Sequence, residues 1–222
     1  TGVERLRVTL VSDSDASRVE KIYTFHRGSY AIDVEYKIKN KTSSTIIPSA
    51  YFQLLRDGGG ADGDTKLQPT YTGGAVYSEE VKFTKVDFKD MDRSKVKYPK
   101  VANDGWVGFV QHYFVAAWLP ENGATRENFT RSLGNNLYAM GYVQGISEIG
   151  SKGTGSVSTR LYAGPQEQEV LKSLAPGLNL VVDYGWLTII AAPLFWLLSA
   201  IHGLVGNWGW SIVFLTVIIK LV

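Results

Sequence analysis

The final stretch of the chain, GNWGWSIVFLTVIIKLV, places a single cation inside an apolar run. Lys220 follows Trp210 by ten residues, which corresponds to ~15 Å along a helix. Because tryptophan favours the membrane–water boundary, the ammonium group would lie near the middle of a hydrocarbon core about 30 Å thick. A charge at that depth costs ~2.5–3.5 kcal/mol even on insertion scales. The spacing therefore favours a wet or protein-lined cavity beside Lys220, with Thr216 one turn earlier on the same face. The alternative is that the long lysine stem carries its charge to the far surface.

Two histidines precede the apolar tail and are the candidates for acid–base chemistry. Catalysis on a sugar would need a histidine and a carboxylate that converge in a cleft. His26 stands at a predicted turn beside Arg27. His112 stands in an apolar run, where a hydrogen-bonded structural histidine is the more common outcome. We therefore expect no enzyme, and the alternative for this part of the chain is weak binding of a ligand or peptide.

Metal, cofactor and nucleic-acid sites have little support in the sequence. The acidic loop DGGGADGD could offer the oxygens of Asp57, Asp62 and Asp64 to calcium, but it lacks a regular ligand spacing and is more typical of a solvated hairpin loop. The chain has no cysteine, which excludes disulfides and thiolate metal sites. A net charge of +2 without a cluster of lysines and arginines gives no case for nucleic acid. We expect no metal and no cofactor.

The elements that carry these residues divide into a charged part and an apolar tail. All charged residues except Asp183 and Lys220 precede residue 181. In that part, YAIDVEYKI alternates apolar and charged residues with the period of two that marks a strand with one wet face. The preceding RVEKIYTF pairs with it across HRGS, where Gly28 can supply the positive φ of a tight turn. Further strand candidates are VERLRVTLV, TIIPSAYFQLL, EEVKFTKVDF, LYAMGYVQGI and GSVSTRLYA.

Many strands without intervening helices predict an antiparallel sandwich or barrel. The run GWVGFVQHYFVAAWLP is apolar on both faces and predicts one central strand covered on each side. A short helix is predicted in QEQEVLKSLA, opened by Gly164-Pro165 and stopped by Pro176-Gly177. We expect its buried side to consist of Val170, Leu171 and Leu174.

The apolar tail begins with a helix that permits two interpretations. Residues 184–205 suffice to span a bilayer, which needs ~20 apolar residues. However, Thr188, Ala192, Ser199 and His202 fall on one side of a helical wheel, as in a helix that lies in the interface. Its membrane-facing anchors would be Trp186 and Trp196. GNWG then breaks the helix, and residues 208–222 begin a second one, with Trp208 and Trp210 at headgroup level.

The tail also resembles a known family. LYAGPQEQEVLKSLAPGLNLVVDYGWLTIIAAPLFWLLSAIHGLVGNWGWSIVFLTVIIKLV is similar to the bacterial YidC membrane protein insertases, in the stretch from the end of the periplasmic domain into the second transmembrane helix. VDYGW, PLFWLL, IH and GNWGWSI occupy the family's positions. Upstream, YTFHRGSYAIDVEYKIKN and GWVGFVQHYFVAAWLP resemble strands of the family's periplasmic domain. The resemblance is loose in the loops near 57–100 and close from residue 160 onward.

The resemblance implies a fold and a division of the chain. Residues 1–175 would be a mainly β, antiparallel β-supersandwich similar to sugar mutarotases, with a short C-terminal helix and with its N-terminal part missing. Residues 176–183 would be a linker and 184–205 an amphipathic helix in the periplasmic leaflet. Residues 208–222 would be the first half of a transmembrane helix. We expect the chain to be a piece of a longer inner-membrane protein, multi-pass in its full form, with residues 1–183 in the periplasm.

The resemblance also implies an activity. Lys220 stands where the family carries the positive charge of a hydrophilic groove, with Thr216 as its groove-side neighbour. Many members have arginine there, so this chain departs from the common pattern. The implied function is an insertase and chaperone for nascent inner-membrane proteins, alone or with the Sec translocon and SecDF, with the ribosome bound through parts absent here. The alternative is a periplasmic docking or ligand-binding domain without insertase activity of its own.

Overall fold

The computed structural model describes residues 4–60, 71–95, 97–182 and 188–221, and the side chains of the last range from residue 193 onward. The chain divides into two compact units, Thr1–Val182 and Asp183–Val222.

The first unit consists mainly of antiparallel strands. Its described strands are β1 Arg5–Asp13, β2 Ser17–His26, β3 Ala31–Asn40, β4 Ser49–Asp57, β5 Thr72–Ser78, β6 Lys82–Val86, β7 Val101–Ala102, β8 Trp106–Gln111, β9 Phe114–Pro120, β10 Arg126–Ser132, β11 Leu137–Gly145 and β12 Thr154–Pro165. An eight-stranded sheet has the order β1-β2-β3-β12-β9-β8-β5-β6, and a four-stranded sheet has the order β4-β11-β10-β7. A short helix, α1 Phe88–Asp92, follows β6. The predicted antiparallel two-sheet fold class is confirmed.

The predicted hairpin at the start of the chain is also confirmed. Strands β2 and β3 pair antiparallel, with Tyr23 opposite Val34. Gly28, in the turn between them, has φ +72°, a conformation that glycine adopts without the clash of a Cβ atom.

A hydrophobic core fills the space between the two sheets. Val34 and Trp118 of the large sheet are buried there with Phe52, Met140 and Tyr142 of the small sheet. The Phe52 ring lies 5.0 Å from that of Tyr142 and 5.3 Å from that of Trp118, centroid to centroid. The even-numbered residues of β3, such as Val34, therefore face the core, and its odd-numbered residues face the opposite side of the large sheet.

The expectation of one central strand over 105–120 is wrong, because the segment folds into the hairpin β8–β9. The register pairs Gln111 with Phe114, and His112 takes φ +45° at the turn. A single strand of that length would extend about 50 Å at 3.3 Å per residue, well beyond the usual strand of 3–10 residues. The expectation that the segment is covered on both faces holds, since most side chains of both strands are buried.

Part of the far face of the large sheet, around β8 and β9, is covered by the segment that follows β12. Helix α2 spans Gln168–Leu174 and a 3-10 helix spans Leu178–Val181. Leu171, Leu178 and Val181 are buried against the sheet. The indole Nε1 of Trp106 donates a hydrogen bond to the Pro176 carbonyl at 3.1 Å. This segment is therefore fixed to the centre of the sheet.

Helix α2 begins later than the sequence predicts. Pro165 does not open it, because this residue is the last of β12 and still pairs with Phe114. Gln166 joins the β8–β9 turn instead, with its backbone NH donating to the Tyr113 carbonyl at 2.8 Å and its side-chain amide donating to the Phe114 carbonyl at 3.1 Å. Val170 is exposed rather than buried, so Leu171 carries most of the contact.

The close approach of β11 to β4 gives a test of this packing. A Cβ atom at Gly141 would overlap the Phe52 carbonyl oxygen, whereas one at Gly145 would meet nothing within 4 Å. We expect Gly141→Ala to lower the free energy of unfolding by ~1–3 kcal/mol, the usual cost of overpacking. Gly145→Ala, on the same strand, should change it by less than about 0.5 kcal/mol. Denaturant unfolding of the chain in mild detergent, followed by the circular dichroism of its strands, measures both. Equal losses in the two variants would contradict this packing.

Candidate functional site on the C-terminal helix

The second unit contains two helices joined by a tight break. Helix α3 spans Thr188–Val205 and helix α4 spans Trp208–Leu221. Gly206 between them has φ +69°. Asn207 caps α4, because its side-chain Oδ1 accepts a hydrogen bond from the Trp210 backbone NH at 3.2 Å. The break at GNWG follows from one residue that tolerates the left-handed conformation and one that prefers the N-cap.

Helix α3 packs against one narrow face of α4. Ser211 is 0% exposed, and its hydroxyl donates to the Asn207 carbonyl at 2.7 Å. Leu215, one turn later, is half-buried, while the other described residues of α4 are exposed. At the turn between the two helices the rings of His202 and Trp208 stack, with their centroids 3.9 Å apart. The contact between the helices therefore follows Ser211 and Leu215.

Lys220 lies on the opposite face of α4. It follows Ser211 by nine residues, which is two and a half turns at 3.6 residues per turn and hence about half a turn away. Thr216 lies one turn before Lys220 on the same uncovered face, and its hydroxyl donates to the Ile212 carbonyl at 2.8 Å. The face that holds Thr216 and Lys220, here called the lysine face, is thus free of α3.

Among the described residues of its own unit, Lys220 has no partner of opposite charge. Lys220 is exposed, and residues 188–221 contain neither aspartate nor glutamate. Its neighbours Val217, Ile219 and Leu221 are exposed apolar side chains. A cation among apolar side chains without a counter-ion is costly in any medium that excludes water. The lysine face can therefore attract a carboxylate or water.

The predicted boundary residues are exposed where they are described. Trp196 is 71% exposed and Trp210 is 61% exposed. Trp208 is half exposed but shares one face with His202, so His202 does not simply face solvent. Trp186 lies outside the described residues. None of the helices in the described ranges combines the length and the apolar character needed to cross a membrane.

The first unit brings together a histidine, a carboxylate and an arginine that the sequence did not associate. His26, at the end of β2, has its Nε2 2.7 Å from Asp33 Oδ2. The Arg160 Nε donates to the other oxygen of Asp33 at 2.9 Å. Partial burial raises the pKa of Asp33, but the hydrogen bonds and charges of Arg160 and His26 outweigh it and leave this pKa below its ordinary value. The period of two marked Asp33 as solvent-facing, but no sequence signal could pair it with a residue 127 positions away.

A cleft of about 490 Å³ borders this cluster. Carboxylates dominate its charged lining, which also includes Arg160. Asp33, Glu79, Asp104 and Glu121 supply the carboxylates, and the described lining contains no histidine. His112 lies instead in the β8–β9 turn, edge-on to the Tyr113 ring at 3.7 Å. His26 therefore reaches the described cleft only through its contact with Asp33, and no histidine is part of the described lining.

The calcium alternative gains no support from the part of the acidic loop that is described. The Asp57 Oδ1 accepts a hydrogen bond from the Gly59 backbone NH at 2.9 Å, which is an ordinary turn contact. Asp62 and Asp64 lie outside the described residues. In the ranges that are described, no group of three or more histidine and acidic side chains is placed to hold a metal ion.

Comparisons with known proteins identify the family. Residues 1–197 match the family model described as the YidC periplasmic domain. The chain is 51% identical over 222 residues to the membrane protein insertase YidC of Aromatoleum aromaticum, covering 99% of this chain and 40% of that protein. It is 48% identical over 221 residues to the protein of the same name from Nitrosospira multiformis. That match covers 99% of this chain and 39% of the relative. The chain thus spans about two fifths of the length of these relatives, whose name is that of an insertase and not of an enzyme.

Solved structures show more distant likenesses. A galactose mutarotase related enzyme from Lactobacillus acidophilus aligns with a TM-score of 0.45 at 8% identity, covering 72% of this chain and 68% of that one. A putative aldose 1-epimerase from Escherichia coli aligns with a TM-score of 0.40 at 7% identity. The alignment covers 73% of this chain and 66% of the epimerase. Likenesses of this extent carry no conclusion about activity.

The Asp33 cluster predicts a pH-dependent contribution to stability. Since its folded pKa lies below the ordinary value of 3.8, the cluster stabilises the fold above that value and loses its contribution as pH falls through the folded pKa. We expect Asp33→Asn to lower the free energy of unfolding at pH 7 by about 0.5–1 kcal/mol, a small value because solvent screens the pair. At about pH 3 the difference should shrink. Denaturant unfolding at both pH values measures it, with Asp15→Asn in an exposed turn as the control. A difference that grows with acidity would contradict the assignment.

Proposed function

Because the chain belongs to the YidC periplasmic domain family, we propose that it forms part of a membrane protein insertase whose clients are nascent inner-membrane proteins. In this proposal the strand-rich unit is periplasmic, α3 is the amphipathic helix of the periplasmic leaflet, and α4 is the first part of a transmembrane helix. The observation that carries the assignment of a role to α4 is the lysine face, which holds a cation on the side that α3 leaves free and has no acidic residue among the described residues 188–221.

Lys220 would supply the positive charge of a hydrophilic groove. A client segment must move a polar flank through a region from which water is largely excluded, and that step is costly for charged and hydrogen-bonding groups. A cation in a wet groove offsets part of this cost and attracts acidic residues of the flank, because charges interact more strongly at low dielectric. The exposed apolar side chains around Lys220 would meanwhile suit the apolar part of the client. No covalent bond changes in this mechanism.

Thr216 and Ser211 would divide the helix into two functional sides. Ser211 and Leu215 hold α3, so clients cannot use that side without separating the hairpin. Thr216 stands on the lysine face, where its hydroxyl is bonded to the Ile212 carbonyl and adds little polarity. The charge of Lys220 is therefore the dominant polar feature that α4 offers to a client.

Lysine in place of arginine would change how the groove holds a carboxylate. An ammonium group acts as a point charge, whereas guanidinium can donate two parallel hydrogen bonds to one carboxylate. We therefore expect this chain to hold acidic client residues with less geometric selectivity than family members that carry arginine. Cooperation with the Sec translocon, SecDF and the ribosome belongs to the same proposal and is supported here only by family membership.

Site-specific crosslinking in the full-length protein tests the contact. A photo-crosslinker at Thr216 should label ribosome-bound nascent single-span clients, because this position shares the lysine face. The same probe at Ile218, on the opposite side of α4, is the matched control and should give little client crosslink. Labelling of lipid alone at Thr216 would mean that Lys220 extends to the membrane surface, which would overturn its role in the groove and leave the family assignment intact.

Charge replacement at Lys220 separates charge from packing. In the full-length protein we expect Lys220→Met, which keeps much of the stem, to slow insertion of clients with acidic flanks by on the order of tenfold, which corresponds to a barrier higher by about 1.4 kcal/mol. Lys220→Arg should keep most of the activity, and clients with neutral flanks should respond little to either variant. Protease protection of client segments in vesicles measures the rates. Equal slowing for acidic and neutral flanks would show that the charge is not what clients sense.

A further inference from the structure

The large sheet carries a broad charged surface on the side that faces away from the small sheet. Paired residues of neighbouring strands share a face, and the registers of β1, β2, β3 and β12 bring one set of side chains to this side. The set, here called the basic face, contains the bases Arg5, Arg7, Arg18, Lys37, Lys39 and Arg160, joined by Lys41 just after β3, and the acids Asp13, Glu20, Asp33 and Glu35. Glu121, just after β9, lies on the same face, because its Oε1 accepts a hydrogen bond from the Ser158 hydroxyl at 3.3 Å. Seven bases and five acids give the face a formal charge of +2.

Each of the four carboxylates on the strands of the basic face is already paired with a base of the same face. Arg18 lies 3.0 Å from Glu20, and Arg7 lies 3.7 Å from Glu35. Arg160 holds Asp33, and Lys41 contacts Asp13. No carboxylate among the described residues forms an ion pair with Arg5 or Lys39. The surplus charge is therefore available to an external anion.

The basic face offers charge and hydroxyl groups but little apolar surface. Val11 is the one large apolar side chain exposed among the described strand residues of this face, since Ile22 is buried. Hydroxyls of Thr9, Thr154, Ser156 and Ser158 stand between the charges. An open depression of about 610 Å³ crosses β2, β3 and β12 and is lined by Arg18, Glu20, Lys37 and Lys39 and by Thr154 to Ser156. Stable protein interfaces have an apolar centre, whereas a layer of phosphate groups requires only charges and hydrogen-bond donors.

We propose that the basic face docks on a membrane surface that carries anionic phospholipid headgroups. A surplus of two charges is too weak for lasting attachment of a free domain, because each basic residue near an anionic surface strengthens binding only several-fold. Attachment through the apolar tail would raise the local concentration of headgroups and make weak docking effective. The inference therefore rests on membrane attachment of the tail, which is part of the proposed function, but not on insertion of clients.

The experiment uses the full chain in vesicles and exploits its lack of cysteine. Thr9→Cys on the basic face and, as a control, Ser49→Cys on the outer side of the small sheet each receive a donor dye. Vesicles of phosphatidylcholine or phosphatidylglycerol carry a headgroup-labelled acceptor. We expect energy transfer from position 9 to rise in phosphatidylglycerol at low salt and to fall with added salt, since surface charges are screened within about 10 Å at 0.1 M. Position 49 should show no such dependence.

A charge variant identifies the residues. Neither Arg5 nor Lys39 is paired with a described carboxylate, so the double variant Arg5→Gln, Lys39→Gln removes two charges without leaving a carboxylate unpaired. The ratio of docked to undocked chain should drop on the order of tenfold. Lys95→Gln together with Lys97→Gln removes the same charge outside the basic face and should have no effect. Energy transfer that is equal in the two lipids, or unchanged in the first variant, would overturn the proposal.

Two further outcomes separate the possible failures. A chain that does not float with phosphatidylcholine vesicles lacks membrane attachment, and both this inference and that part of the proposed function would fall. A chain that floats but shows no lipid-dependent transfer would refute the docking alone. A response to soluble polyglutamate without a response to phosphatidylglycerol would assign the basic face to an acidic protein partner and would also refute it.

Discussion

The position of β12 is the constraint on which the rest of the first unit depends. This last strand lies between β3 and β9 and pairs with both, so it joins the meander β1–β3 to the hairpins of β5–β9 in one sheet. Without it, the large sheet would be two separate pieces, each with an unpaired edge that exposes backbone hydrogen-bonding groups. The basic face, the Asp33–Arg160 pair and the cleft all straddle β12. Each of them therefore exists only after the chain has nearly finished its first unit.

The parts of this architecture that depend on local pattern could be predicted from the sequence. Alternation in YAIDVEYKI identified β3 and its wet face, and Gly28 identified the turn that precedes it. The run over 105–120 was misjudged because apolar residues on both faces conceal a turn, and His112 has none of the usual turn chemistry of glycine, asparagine or proline. Strands β5, β7 and β10 were not predicted. TGGAVYS of β5 contains two glycines, which are depleted in strands, and RENFTRS of β10 has a weak alternation and a pairing with β11 that is not local.

Features that depend on distant residues could not be predicted. The basic face collects charges from four strands, while the sequence shows no cluster of lysines and arginines and a net charge of only +2. In the tail, by contrast, spacing along a single helix sufficed to place Thr216 and Lys220 together. What the sequence did not show there was which face of α4 would meet α3. That choice follows from Ser211, a small residue whose hydroxyl is bonded within its own helix, so that the neighbouring helix can approach closely.

The segment after β12 has a mechanical consequence. A force transmitted along the chain to Val182 does not reach the strands directly, because Leu178 and Val181 are buried against the sheet and Trp106 holds the Pro176 carbonyl. These contacts must give way before β12 itself bears any load. Gln166, bonded to the β8–β9 turn, divides the load between two strands at the point where it finally enters the sheet. The contacts made by the segment from Gln166 to Val181 would therefore break first under tension applied from the tail, before the strands of the sheet separate.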